Sequence, residues 1–173
     1  MLEGTAVVLK PLSLADVTAR YLSWLHNDAV MSGIATSGYT MENLRSYVAE
    51  KTGRADVVFY AIRDKATDVH IGNVKLDFHD SRANVSELGL LIGDKDFWGK
   101  GVGYEACSLL MRYGFSTLGL RKIYLAVYEN NPGAKRLYEK LGFRLEGTLR
   151  KHVWAAGDFR DKYLMGIFND EFK

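Results

Sequence analysis

The chain has 173 residues and a formal net charge of +2, with 47% hydrophobic and 25% charged residues, a composition typical of a globular domain. No run of about five like charges marks a nucleic-acid-binding tail, and no apolar stretch is long enough for a signal-peptide core or a membrane span. Its one cysteine, Cys107, excludes an internal disulfide. We therefore expect a single domain over residues 1–173, located in the cytoplasm, without a nucleic-acid or membrane partner.

The first half of the chain predicts a strand, two helices and then three strands. Residues 5–12 alternate as a strand does, and Ser13 starts a predicted helix over residues 14–28. Thr40 and Gly53 mark the start and the end of a second helix. The hydrophobic period then changes to two in three further segments, residues 56–64, 69–79 and 85–94. The short turns between them predict an antiparallel meander.

The second half begins with a glycine-rich turn, WGKGVG, at residues 98–103. It opens a predicted helix over residues 104–118, and the strand of residues 122–130 follows. Because a strand, a helix and a strand come in succession, we expect one parallel pair of strands.

A short helix lies between Pro132 and Gly142, and the remaining residues, 143–168, predict two strands with a hairpin turn near Gly157 and Asp158. The whole pattern predicts a mixed α/β fold. Its central sheet is mostly antiparallel, contains the one parallel pair and is flanked by helices.

The glycine turn matches a dinucleotide fingerprint, since Gly101, Gly103 and Ala106 spell G-x-G-x-x-A. In a dinucleotide-binding fold, however, the turn begins almost at the strand end, whereas residues 93–100 intervene here. A P-loop is also excluded, because glycine follows Lys100 where a magnesium-binding Ser or Thr is needed. The amides of such a turn suit another phosphate at a helix start, and the alternative is a tight turn that only allows close packing.

Two motifs and the order of the elements resemble the GNAT superfamily of acetyl-CoA-dependent N-acetyltransferases over nearly the whole chain. The pyrophosphate motif of that family is Gln or Arg, two residues, Gly, one residue, and Gly or Ala. Gly101 and Gly103 meet it, and Trp98 replaces the initial Gln or Arg, as in the branch of the ribosomal-protein N-terminal acetyltransferases. The second motif is met by Asn131, Ala134, Tyr138, Gly142 and Phe143.

The resemblance implies acetyl-CoA as cosubstrate and no metal. It implies that the pyrophosphate is wrapped by the turn residues Trp98, Gly99, Lys100, Gly101, Val102, Gly103 and Tyr104. The parallel pair would splay around the pantetheine arm, which would bind backbone groups of Leu90, Leu91 and Ile92. The resemblance also implies contacts to the cofactor from the next helix, at Asn131, Ala134 and Lys135.

Two residues are candidates for proton transfer. By the same resemblance, Tyr138 stands where many family members keep the tyrosine that protonates the leaving thiolate, and its alternative is packing of the helix onto the sheet. Glu87 precedes the glycine turn at the spacing at which histone-acetylating relatives carry their glutamate base. The alternatives are a solvated carboxylate and a base reached through water. The four histidines show no metal-ligand spacing, and Cys107 is expected to be a small buried hydrophobe.

The resemblance implies an amine acceptor, and we expect a small molecule, with the amino group of a nucleotide-linked amino sugar as the acetylated group. The stretch RYLSWLHNDAVMSG resembles the opening of such enzymes, and Arg150, Lys151 and Arg160 could attract the diphosphate. Asp77 and His79 share a strand face and could line the acceptor cleft. The alternatives are a protein N-terminal amine, a polyamine or antibiotic amine, and an acetyl-CoA-binding module without catalysis. A homodimer is one possible assembly.

Overall fold

The computed structural model describes residues 1–33, 38–80, 82–155 and 157–173, with backbone alone at residues 79 and 80. The helices are α1 (Ala19–Trp24), α2 (Asp28–Met31), α3 (Met41–Gly53), α4 (Val102–Ser116) and α5 (Pro132–Lys140). The strands are β1 (Leu2–Glu3), β2 (Val7–Pro11), β3 (Val57–Asp64), β4 (His70–Asp80), β5 (Val85–Ile92), β6 (Lys122–Tyr128), β7 (Arg144–Ala155) and β8 (Asp158–Phe168). Short 3-10 turns lie at Leu14–Asp16, Lys95–Phe97 and Asn169–Glu171.

These strands form one sheet in the order β1-β2-β3-β4-β5-β6-β8-β7. Neighbouring strands are antiparallel except β5 and β6, which are parallel and are joined through α4. The predicted mixed α/β fold, with its mostly antiparallel sheet, one parallel pair and flanking helices, is confirmed.

Each face of the sheet carries its own hydrophobic core, because successive side chains of a strand point to opposite faces. The face under α4 and α5 packs a core that includes Val74, Leu76, Leu110, Ile123 and Ile167. The other face packs against the first three helices, in a core that includes Tyr21, Trp24, Leu44, Val48 and Phe59. The two faces therefore meet different layers of helix.

The parallel strands β5 and β6 part before they end. Their last parallel pair is Glu87 with Tyr124. Beyond it, β5 stays paired with β4 as far as Ile92, and β6 stays paired with β8 as far as Tyr128. Each strand is held by its outer neighbour, so their inner edges leave a gap that widens along the strands. The predicted splay is confirmed.

The prediction of one helix over residues 14–28 is wrong, because the chain breaks there into three short helical pieces. Ser13 and Asp16 do form a capping box, but it opens only a 3-10 turn of three residues. Thr18 and Asn27 then act as N-caps of α1 and α2, each accepting hydrogen bonds from backbone N–H groups. Side chains of this kind satisfy the backbone locally and favour a new helix start over continuation.

The other differences are small and have local causes. Helix α4 begins at Val102, two residues earlier than predicted, because Gly101 adopts a left-handed conformation as its N-cap. Strand β7 contains a bulge, since Leu149 pairs with Lys162 and Val153 pairs with Arg160. The predicted turn at residues 80–84 includes residue 81, which lies outside the described residues.

The cap at Asn27 provides a test of the broken helix. The Asn27 side chain accepts hydrogen bonds from the N–H groups of residues 29 and 30, at 3.2 and 3.4 Å. We expect Asn27→Ala to lower the free energy of unfolding by about 1 kcal/mol, measured by urea denaturation, because two helix-start donors lose their acceptor. The control is Asn27→Ser, which keeps an acceptor and should stay within about 0.5 kcal/mol of wild type. Equal stability of all three proteins would contradict the assignment.

Candidate active site

A cavity of about 900 Å³ opens where β5 and β6 part. Its walls come from both strands, the turn before α4, helix α5 and the layer of α1–α3. Of the predicted site residues, those lining it are Glu87, Leu90, Leu91, Ile92, Trp98, Gly99, Gly101, Val102, Gly103, Tyr104, Asn131, Ala134 and Tyr138. The fold thus gathers one cavity from segments that are distant in the sequence.

The glycines of the turn are required for two different reasons. Gly99 and Gly101 have φ angles of 74° and 81°, a region in which residues with a β-carbon are strained. Gly103 is instead favoured by packing, since a β-carbon there would lie 3.1 Å from Leu137 Cδ1 and 3.4 Å from Leu90 Cδ2, so these side chains would have to shift. Helix α4 begins without a side-chain cap, and its first residues line the cavity, so its first N–H groups are suited to bind an anion there.

The segment from Asp94 to Trp98, between β5 and the glycine turn, is held by contacts to α1 and to the end of β5. Asp94 caps the 3-10 turn Lys95–Phe97 and pairs with Arg20 from α1. Trp98 Nε1 donates to the carbonyl oxygen of Ile92 at 2.8 Å, which satisfies a group at the end of the parted strand. A dinucleotide-binding turn has no such segment. Here it separates the start of α4 from the end of the strand.

Two predicted cofactor ligands, Lys100 and Lys135, lie outside the cavity lining. The Lys135 ammonium is 2.7 Å from the Glu139 carboxylate, and the Lys100 ammonium lies 5.6 Å from the centre of the Phe97 ring. Lys140, which the sequence reasoning missed, does line the cavity.

The Lys140 ammonium lies 4.9 Å from the centre of the Tyr104 ring. It therefore stands beside the start of α4, where the helix leaves its first N–H groups uncapped. The helical period offered a signal for this residue, because Lys140 follows the cavity residue Leu137 by three positions.

The side-chain amide of Asn131 acts as the N-cap of α5. Its Oδ1 accepts the N–H of Ala134 at 3.1 Å and so caps α5. Next to it, Asn130 Nδ2 donates to the carbonyl oxygen of Ser32 at 3.1 Å. The Asn130 contact joins the end of α2 to the segment before α5.

Tyr138 lies on α5 with its ring in the core and lines the cavity. It is 7% exposed, and its ring centre is 5.8 Å from that of Phe143. Burial raises the pKa of the Tyr138 hydroxyl, with a smaller contribution from Cys107, so the group stays protonated at neutral pH. Cys107 is fully buried, which confirms the prediction of a small core residue and raises the pKa of its thiol.

Glu87 lies at the point where the strands part. It is aligned with Asp77 of β4 and with Tyr124 of β6. Burial raises the pKa of Tyr124, and the charge of Glu87 raises it further. Among the described residues that line the cavity, Glu87 is the one carboxylate.

Asp77 is buried beneath a cluster of cations and joins α3 to the sheet. Its Oδ2 lies 2.8 Å from the Lys51 ammonium and 3.2 Å from that of Lys75, and Oδ1 lies 3.8 Å from Arg54. Burial acts to raise the pKa of Asp77, but hydrogen bonds and charges from Lys51 and Lys75 outweigh it, so the pKa lies below its usual value. Asp77 is outside the cavity lining and the His79 side chain is outside the described residues, so their predicted place in the cleft stays a prediction.

The helical layer gives the cavity an aromatic wall. Tyr21, Tyr39, Tyr47 and Phe59 line it together with Leu25, opposite the start of α4. Burial raises the pKa of Tyr21, with smaller contributions from two neighbouring tyrosines. Tyr21 is thus a core residue whose side chain also forms part of the cavity.

The basic residues expected to attract a diphosphate lie elsewhere. Arg150 and Lys151 belong to the bulge of β7, where the N–H of Lys151 donates to Asp161 at 2.8 Å. Arg160 lies 3.7 Å from Asp158 at the hairpin end. The cations that line the cavity are Lys75, Lys140 and Lys162.

The described part of the chain contains no group of three or more His, Cys, Asp or Glu side chains arranged to hold a metal ion. Within the same residues, no helix has both the length and the hydropathy to cross a membrane.

Comparison with known proteins identifies the family of the chain. Residues 6–144 match the family described as the acetyltransferase (GNAT) domain. The chain belongs to the GNAT acetyltransferase family. The ribosomal-protein or nucleotide-sugar branch expected from the sequence is not confirmed.

Several of the similar proteins are spermidine acetyltransferases. A spermidine N(1)-acetyltransferase of Escherichia coli (strain K12) is 38% identical over 82 residues, covering 47% of this chain and 44% of that protein. An uncharacterized N-acetyltransferase, p20, of Bacillus licheniformis is 33% identical over 113 residues, covering 65% and 63%. The matched segments thus span less than two thirds of these relatives.

A solved structure is similar over nearly the whole chain. The spermidine N-acetyltransferase of Vibrio cholerae, in complex with CoA and spermine, superimposes with a TM-score of 0.87 at 25% identity, covering 97% of this chain and 98% of that one.

The buried carboxylate of Asp77 predicts a stability that depends on pH. The pKa of Asp77 is lower in the folded state than in the unfolded chain. The carboxylate therefore contributes fully to the free energy of unfolding above roughly pH 4, and this contribution is lost as the pH falls through the folded-state pKa. We expect Asp77→Asn to lower the free energy of unfolding at pH 7 by about 1–3 kcal/mol, with the difference shrinking towards pH 3. Urea denaturation across this range measures it.

The control is Asp170→Asn, at an exposed carboxylate, which should stay within about 0.5 kcal/mol of wild type throughout. A difference between wild type and Asp77→Asn that stays constant from pH 7 to pH 3 would show that the Asp77 carboxylate does not carry this stability.

Proposed function

We propose that this chain transfers the acetyl group of acetyl-CoA to the primary amine of a small molecule, by direct attack in a ternary complex. The observation that carries the proposal is the cavity between the parted strands β5 and β6, which reaches the uncapped start of α4. A long phosphorylated thioester fits this combination, because the gap accepts its arm and the helix start attracts its phosphates.

In this proposal the cofactor binds mainly to backbone groups. The pyrophosphate contacts N–H groups at the start of α4, and the pantetheine arm pairs with the free edge of β5 from Leu90 to Ile92. An N–H group of that edge polarises the thioester carbonyl. Lys140 replaces Lys100 and Lys135 as the proposed phosphate ligand, since it lines the cavity and they do not.

The chemical step needs two proton transfers. The neutral amine attacks the thioester carbon, the carbon–sulfur bond breaks, and the Tyr138 hydroxyl gives its proton to the departing thiolate. The Tyr138 hydroxyl is protonated at neutral pH, as this role requires, although burial raises its pKa and so makes it a weaker acid. Glu87 takes the proton lost by the amine, directly or through water, from its position at the fork of the strands.

For the acceptor, the comparisons favour a polyamine over the amino sugar expected from the sequence. The Escherichia coli relative is a spermidine acetyltransferase, and the similar Vibrio cholerae structure holds spermine. We therefore propose a polyamine as the first candidate.

A nucleotide-linked amino sugar is the second candidate, and the charge of the cavity supports it. Among the described residues, the lining has three lysines, Lys75, Lys140 and Lys162, and one carboxylate, Glu87. Lys75 is paired with Asp77 and Lys140 is proposed as a cofactor ligand, so Lys162 is the lysine of this lining that remains to attract an anionic acceptor.

Release of free thiol from acetyl-CoA, measured with a panel of amines, tests the proposal. The panel contains spermidine, a UDP-linked amino sugar and a peptide with a free N-terminus. We expect release with spermidine or the amino sugar. Release with the peptide alone would move the acceptor to a protein N-terminus. Binding of acetyl-CoA without release with any amine would indicate a binding module instead.

Removing the Tyr138 hydroxyl should separate catalysis from binding. We expect Tyr138→Phe to lower kcat by roughly 10²- to 10⁴-fold, because the thiolate loses its positioned acid. The ring keeps its packing, so the Kd for CoA and the Tm should stay near wild type. The matched control is Tyr113→Phe, on α4 and outside the cavity lining. Unchanged turnover in Tyr138→Phe would return this residue to a packing role.

The choice between lysines can be tested by replacing each with methionine, which keeps the apolar stem. We expect Lys140→Met to weaken CoA binding roughly 5- to 30-fold, the effect of losing a charge-assisted hydrogen bond at a partly exposed site. Lys100→Met should change the Kd less than about twofold. Titration calorimetry measures both. A larger loss at Lys100 than at Lys140 would reverse the assignment.

A further inference from the structure

Asn73 is a buried amide in the wall of the cavity. It lies on β4, opposite Leu91 of β5, and is 3% exposed. Its Nδ2 has no hydrogen-bond partner among the described residues. The other buried side-chain atoms in that condition belong to Arg63, Ser86, Asn130 and Arg160. None of these four residues is among those lining the cavity, whereas Asn73 is.

His70 fixes the orientation of this amide. Its Nε2 lies 2.9 Å from Asn73 Oδ1 and 3.0 Å from the carbonyl oxygen of Gly72. A carbonyl oxygen can only accept, so Nε2 carries the hydrogen and donates to both. The oxygen of the Asn73 amide therefore faces His70, and the Nδ2 donor is left without a partner.

The His70 ring is itself held in place and neutral. It is 8% exposed and packs edge-on against Tyr21 and Trp24, with ring centres 5.7 and 5.0 Å away. Burial lowers the pKa of His70, while the nearby charges of Asp16 and Arg63 act in opposite directions. The ring is thus neutral at neutral pH and carries its one hydrogen on Nε2. The Asn73 amide therefore keeps its oxygen towards this hydrogen.

An orphaned buried donor is costly, on the order of 1–3 kcal/mol, and an apolar side chain of similar size would avoid that cost. A ligand that accepts the hydrogen bond removes this cost.

Asn73 shares its face with Lys75, two residues further along β4, and not with Val74 and Leu76, which pack under α4. This face belongs to the layer of α1–α3, away from the helix start proposed to bind the cofactor.

We propose that Asn73 is a specificity-determining residue, whose Nδ2 donates a hydrogen bond to an oxygen of the acceptor. Lys75 supplies a second donor on the same face. This inference rests on the proposed acetyltransferase function, and it favours the second candidate acceptor, the amino sugar, over the polyamine. The acceptor is an amine that also carries a hydroxyl or carbonyl oxygen, as an amino sugar does. The other nitrogens of a polyamine are protonated at neutral pH and have no lone pair to offer.

The test compares glucosamine with cyclohexylamine, two ring amines of which only the first carries ring hydroxyls, and with spermidine. In the wild type we expect the highest kcat/KM for glucosamine. Asn73→Leu should lower kcat/KM for glucosamine roughly 10- to 100-fold, the loss of one buried hydrogen bond. The value for cyclohexylamine should stay within about threefold, and the Kd for CoA should not change.

An equal fall with both ring amines, or no fall with glucosamine, would overturn the role of Asn73. Asn73→Ala, which adds no bulk, repeats the test if the leucine does not fit. His70 acts as a positioning residue. His70→Leu should therefore raise KM for glucosamine with little change in kcat, and His70→Gln, which can still donate to Asn73, should restore part of the loss.

The two proposals fail in different ways. A wild-type protein that acetylates spermidine and neither ring amine would remain an acetyltransferase, and the role given to Asn73 would be wrong. A wild-type protein that releases no thiol with any of the three amines would count against the acetyltransferase function itself, and the inference would fall with it.

Discussion

The site depends on one constraint, which is that every backbone N–H and C=O removed from water needs a partner. Strands β5 and β6 stop pairing with each other after Glu87 and Tyr124, yet both continue, held by β4 and β8. The parted edges cannot close without breaking those outer ladders. A long ligand with its own amides can pair with the free edge, as an added strand would. The outer ladders therefore hold the gap open before any side chain contributes.

The two faces of the sheet supply different parts of the site around this gap. Helices α4 and α5 bring the uncapped helix start, Lys140 and the buried Tyr138 hydroxyl to one side. The layer of α1–α3 brings an aromatic wall and the polar residues of β4 to the other. The layers are connected by contacts of the segment from Asp94 to Trp98 and by the hydrogen bond from Asn130 to Ser32. Cofactor and acceptor can therefore approach the same point from opposite faces.

Much of this could be predicted from the sequence, because the signals were local. Alternation gave the meander, and glycines at 101 and 103 marked the turn and the helix start. The broken helix between Ser13 and Asn27 was missed, because three competing N-caps outweighed one apolar period. Lys140 was missed although the helical period placed it on the face of Leu137, because only its packing against Tyr104 shows that this face meets the helix start. Asn73 was missed because its role follows from its contact with His70, which no sequence motif marks.

A crystal structure of the protein with CoA tests the central claim most directly. The account predicts density for the pantetheine arm between β5 and β6, with hydrogen bonds to the backbone of Leu90–Ile92. It also predicts the pyrophosphate at the N–H groups that open α4. CoA bound elsewhere, or strands β5 and β6 closed upon each other with the cofactor absent at saturating concentration, would contradict the account.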